Sequence, residues 1–185
     1  MGLINQNIAI RANKEDNCKG RFWEARFSSQ AILDYDALLR TLIYVDLNPV
    51  KAGISASAES SQHTSMGRRM IDQEARLLPF QENDSPEEIL HDLTSDSLPI
   101  SYDDYRDLLN WTQEIISQQS KPSTSPPPNI FSSLNYSSRQ WRKTQKPQVR
   151  WQQRALGSAT RIKKYCEALN RRWIWQAPDH TIAGN

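Results

Sequence analysis

The sequence predicts a mainly helical protein with a short extended segment near its N-terminus. Three observations lead there: apolar residues recur with helical period in two segments, one stretch alternates instead, and the C-terminal quarter mixes Arg, Lys and Trp in helix-compatible runs. Residues 1–17 read as a helix that closes in the polar cluster Asn13 to Asn17. Gly20 then opens RFWEARFSSQAIL, in which Phe22, Glu24, Arg26 and Ser28 face one way and Trp23, Ala25, Phe27 and Ser29 the other. That alternation predicts a strand or hairpin arm. Asp34 is the N-cap expected for an amphipathic helix over 35–47, whose apolar stripe is Leu38, Leu42 and Val45 and which Pro49 stops. Ser55 to Ser65 is a small-residue loop, followed by a short basic helix, MGRRMIDQEARLL, ended by Pro79. The acidic stretch 80–100 is expected to be irregular apart from a helical turn or two after Ser85-Pro86. A helix begins near Tyr102 and carries Tyr105, Leu108, Leu109, Trp111, Ile115 and Ile116 on its apolar side. SKPSTSPPPN reads as a linker, and 137–176 as two or three helices with Gly157-Ser158 as a break. The domain reading is therefore 1–71, a connecting region 72–120, a Ser/Pro-rich linker 121–136 and a basic helical tail 137–185.

The 185 residues, 37% hydrophobic, suffice for one ordinary domain or two small ones. Cys18 and Cys166 lie far apart, which excludes a disulfide framework and a zinc ribbon as readings. No apolar run approaches the roughly 20 residues that cross a bilayer, and no secretion signal opens the chain. A soluble cytoplasmic protein without a membrane partner is expected. The formal charge of +2 hides a segregation: 72–107 is about 9 negative and 139–172 about 10 positive. Nucleic acid suits the second stretch, since each neutralised phosphate releases condensed counterions. The first either keeps the chain soluble or masks the second.

Tyr44 falls on the flank of the predicted helix, about 100° from the centre of its apolar stripe, and Asn48 follows one turn later. A phenol and an amide on one flank can share a small site. The ordinary alternative makes Tyr44 a packing residue and Asn48-Pro49 a helix stop, and geometry alone does not choose.

The run ANKEDNCKGRFWEARFSSQAILD followed by LIYVDLNPVKAGI resembles the REP-associated tyrosine transposases, bacterial members of the single-tyrosine HUH superfamily. The likeness covers roughly residues 1–70; YDDYRDLLNWTQ and KKYCEALNRRWIW resemble a C-terminal tail found in one branch. In that family a helix-borne tyrosine stands five residues before the proline of an NPVRAG-like motif, as Tyr44 stands before Pro49. The resemblance implies an incomplete ferredoxin-like α+β core followed by a helical region. It implies DNA transposition through single-strand cleavage and joining, with Tyr44 as nucleophile and a 5'-phosphotyrosine intermediate. A divalent metal, Mg or Mn, would act in the intact family member, held by a His-hydrophobic-His pair, with Asn48 as third ligand. Here the chain departs from the pattern. Its histidines, His63, His91 and His180, are isolated, so it is expected to bind no metal by itself and to represent a truncated, inactive product beginning at an internal methionine.

The expected DNA contacts are Arg21, Arg26, Lys51, Arg68 and Arg69 around the tyrosine segment. In the tail they are Arg139, Arg142, Lys143, Arg150, Arg154, Arg161, Lys163, Lys164, Arg171 and Arg172. Trp141, Trp151, Tyr165, Trp173 and Trp175 interleave with the tail cations, either to stack on unpaired bases or to form a small helical core. The expected partner is single-stranded or hairpin DNA. A non-catalytic DNA- or RNA-binding module and an inert remnant of a mobile element are the alternative readings.

Overall fold

In a computed structural model the described residues are 2–24, 29–72, 77–80, 97–117, 125–134, 136–145 and 154–172. The chain is mainly helical. Helix α1 (Gly2–Glu15) leads to strand β1 (Ala31–Ile32), then α2 (Tyr35–Asp46), the single turn α3 (Asn48–Lys51) and α4 (Ser65–Ile71). After α5 (Tyr102–Ser117) come a 3-10 turn at Asn129–Ser133, α6 (Ser138–Thr144), strand β2 (Ala155–Leu156) and α7 (Ala159–Ala168).

Of the alternating stretch after Gly20, Ala31 and Ile32 form the strand β1, while the beginning of the stretch does not extend. Residues 22–24 bend, the Trp23 indole donates to the Asn5 carbonyl at 2.8 Å, and the Phe22 and Trp23 rings meet edge to face. Residues 25–28 lie outside the described residues. The extended part of the stretch, β1, pairs with β2 in parallel register, Ala31 beside Ala155 and Ile32 beside Leu156. Among the described residues this two-stranded sheet is the whole of the regular sheet structure. The parallel pair is held at its end by Asp34. One carboxylate oxygen accepts from Ala37 N at 3.0 Å, capping α2 as the sequence predicts, and the other accepts from Ser158 N at 2.6 Å, where α7 begins. Gly157, at φ +152°, makes that approach possible, since a Cβ there would sit 3.0 Å from both Asp34 Oδ2 and Leu33 Cβ.

The core lies between α2, α4, α5, the 3-10 turn and α6. Leu39, Ile43 and Leu47 from α2 and its end meet Met66 of α4 and Tyr105, Leu108, Leu109 and Ile115 of α5. The buried stripe of α2 is therefore one residue out of phase with the predicted one: Leu38 and Leu42 are half-buried and Val45 is exposed. Paired apolar residues, Leu38-Leu39 and Leu42-Ile43, leave two stripes open, and packing against α4 and α5 selects the second. Pro49 does not stop the helix in the expected way. α2 ends at Asp46, Leu47 turns the chain, and Pro49 sits in the first turn of α3, where its missing N–H costs nothing.

α5 buries the predicted Tyr105, Leu108, Leu109, Trp111 and Ile115, with Ile116 half-buried. The Ser/Pro-rich stretch contributes to packing: Phe131 and Leu134 are buried, and the Phe131 ring lies between Trp111 and Trp141 at 4.6 and 5.8 Å. The basic helix MGRRMIDQEARLL is shorter than its pattern, α4 ending at Ile71; Gln73 to Arg76 and the helical turn expected after Ser85-Pro86 lie outside the described residues. At α4 the chain comes very close to the preceding loop, since a Cβ on Gly67 would lie 1.9 Å from the Ser61 carbonyl oxygen.

Candidate functional site

Asp46 decides how α2 is rotated. It is fully buried, yet its carboxylate is satisfied: Tyr105 Oη donates at 2.6 Å, Ser65 Oγ at 3.0 Å and Ser65 N at 3.1 Å. The last of these places an anion at the first turn of α4. Burial, with the charge of Asp46 and its hydrogen bond, raises the Tyr105 phenol well above its ordinary range, so this hydroxyl is a fixed donor. Two residues apart on a helix means about 200° of rotation. Holding Asp46 inward therefore turns Tyr44 away from the core, and Tyr44 is half-buried on the flank. Sequence reasoning missed Asp46, although a lone acid inside LIYVDLNPV was a signal, because a charge amid apolar residues is buried only when paired.

Lys51, from α3, reaches back over Tyr44. Its Nζ lies 4.4 Å from the centroid of the Tyr44 ring and donates at 2.8 Å to the main-chain carbonyl of Gln145, the C-cap of α6. Burial lowers the Lys51 amine to about 8. Among the described residues the ammonium forms no ion pair with a carboxylate. Gln145 is itself buried, and its side-chain carbonyl meets no hydrogen-bond donor among the described residues. Two segments 94 residues apart in sequence thus meet at the tyrosine.

Asn48, implied as a third metal ligand, is exposed in α3. Among the described residues no group of three His, Cys, Asp or Glu is gathered to hold a metal, and His63 is exposed; His91 and His180 lie outside the described residues. Among the described residues the side chains around Asn48 do not make a divalent-metal centre.

The remaining cations divide by environment. Arg69 is engaged in packing: its guanidinium stacks 4.5 Å over Phe80, donates to the Leu78 carbonyl, and is pulled below its usual range by burial. Arg68 is exposed and bridges to Asp72 at 3.0 Å. Arg139 and Lys143 are exposed on α6, with Arg142 half-buried beside them; Lys163 and Lys164 are exposed on α7 and Arg161 is half-buried. Arg21, Arg154, Arg171 and Arg172 are exposed, while Arg26 and Arg150 lie outside the described residues.

Of the aromatic residues expected either to stack on bases or to form a core, Trp141 belongs to the core. It is fully buried, its indole N–H donating to Thr112 Oγ1 at 2.9 Å. Tyr165 is half-buried in a small second cluster with Ala155, Ile162 and Cys166, and Trp151, Trp173 and Trp175 lie outside the described residues. No helix among the described residues is long and apolar enough to cross a membrane. No family model matches the chain, and neither a curated protein nor a solved structure does.

Proposed function

We propose that the chain is a transposase-like protein that holds single-stranded or hairpin DNA and presents Tyr44 to a phosphodiester. The observation that carries this is the placement of the Tyr44 ring on the flank of α2, outside the apolar core and beneath the Lys51 ammonium. In the reaction, the phenolic oxygen forms a bond to phosphorus while the bond to the 3'-oxygen breaks. The products are a 5'-phosphotyrosine and a free 3'-hydroxyl, which takes up a proton. A protonated phenol is a weak nucleophile and needs help to attack. The sequence has no His-x-His pair to supply the metal of the family it resembles, so the chain holds DNA without cutting it.

The test is incubation with end-labelled single-stranded hairpin DNA and Mg²⁺ or Mn²⁺, followed by a denaturing gel. No covalent adduct is expected with this chain, and one is expected when a His-x-His-bearing segment is joined upstream. An adduct that forms with the short chain and survives Tyr44→Phe would overturn the role given to Tyr44. A second reading, a binding module without chemistry, is favoured by the exposure of Asn48 and by the exposed cations of α6 and α7. It predicts salt-dependent DNA binding and no adduct even in the extended chain.

A further inference from the structure

The Lys51–Gln145 contact joins the tyrosine segment to the basic tail at one point in space. α6 buries Trp141 and Thr144 on one side and exposes Arg139 and Lys143, one turn apart on a shared face, on the other. Its last turn runs directly into Gln145, whose carbonyl carries Lys51, and Lys51 covers Tyr44. Among the described residues Lys51 has capacity for further partners. An ammonium has three N–H donors, one meets the Gln145 carbonyl, and no carboxylate pairs with the charge among the described residues. A half-buried cation without an anion is unfavourable, and an arriving phosphate oxygen relieves that cost.

We propose that Lys143 and Lys51 form one continuous phosphate track, along which a single DNA strand passes from the exposed face of α6 over the end of that helix to Tyr44. This rests on the reading of the chain as a binder of single-stranded DNA, and it adds the path of the strand and a phosphate seat at Lys51. Burial holds the Lys51 amine at about 8, and a bound phosphate draws it upward, so the strand also fixes the charge over the tyrosine ring.

The test measures binding of a fluorescein-labelled oligothymidylate by anisotropy over a range of salt. Each lost phosphate contact lowers the slope of log K against log salt by about 0.7 for a single strand. Lys51→Met and Lys143→Met are each expected to lower it by that amount, the double variant by about 1.4, and Lys51→Arg to leave it unchanged. A slope unaffected by Lys51→Met, in a chain whose Lys143→Met variant does shift it, overturns the track and leaves the DNA-binding reading standing. Absence of salt-dependent binding by the unaltered chain overturns both. Amine acylation of the unaltered chain, read by peptide mass spectrometry, gives the same answer without a substitution. Protection of both lysines by the oligonucleotide supports the track. Protection of Lys143 alone refutes it, as does protection of Lys51 by inorganic phosphate but not by the strand.

Discussion

Removing the Tyr105 hydroxyl should loosen α2 as much as changing the acid it holds. In Tyr105→Phe the ring keeps its packing, but Asp46 loses its shortest donor, a 2.6 Å bond to a fully buried carboxylate. A hydrogen bond to a charged group contributes about 1.5–3 kcal/mol, so a loss of about 2 kcal/mol is expected. Asp46→Asn keeps the shape and replaces one accepting oxygen with a donor. That donor faces either the Tyr105 hydroxyl or Ser65, and the cost is again about 2–3 kcal/mol. Because both changes break the same bond, the double variant should be less destabilised than the sum by about 1.5 kcal/mol. Urea unfolding followed by tryptophan fluorescence suits the measurement, since Trp141 and Trp111 are buried in the same core. With a urea dependence of about 2 kcal/mol per molar, each single change moves the midpoint down by about 1 M. Strict additivity, or a Tyr105→Phe midpoint equal to that of the parent, would refute the claim that this pair sets the rotation of α2.

Gly67→Ala places a Cβ 1.9 Å from a main-chain oxygen that has no flexible end to move, and is expected to cost about 3 kcal/mol; a urea midpoint within error of the parent would count against the close approach of α4 to Ser61. Trp141→Ala empties the centre of the core and should cost about 3–5 kcal/mol, measured by the same unfolding curves. Lys51→Met tests the lowered amine through pH. The folded amine, at about 8, releases its proton before the unfolded one near 10.5, so the parent gains stability relative to the variant as pH rises through that window. Parallel curves for the two proteins between pH 7 and 10 would show that burial does not perturb Lys51.

Much of the helical architecture was legible because local signals agreed. Asp34 stands before an apolar-periodic segment and caps it, and α5 buries both members of its Leu108-Leu109 pair, so its apolar face could be read without choosing between stripes. α2 was ambiguous in phase because adjacent leucine and isoleucine residues define two stripes, and the deciding element was an acid that pattern reading counts as polar. The alternation after Gly20 gave extended structure at Ala31–Ile32 but not where to find its neighbour: β1 pairs at Ala155 and Leu156, a partner with no local signal. For the site, Tyr44 and Lys51 were singled out, but their meeting was not, since it depends on the main chain of Gln145. Trp141 shows why interleaved cations and aromatics do not define a surface: seven residues of α6 hold both a core face and an exposed one.

A single carboxylate, that of Asp34, seats the beginnings of α2 and α7 at once. Its two oxygens make the far end of the polypeptide a structural dependant of the tyrosine helix, and the reverse. Trimming the molecule before Ser158, or replacing Asp34 by serine, which offers one acceptor atom in place of two, would therefore be felt at both ends. The start of the helix that bears Tyr44 is thus anchored by a partner more than a hundred residues away in sequence.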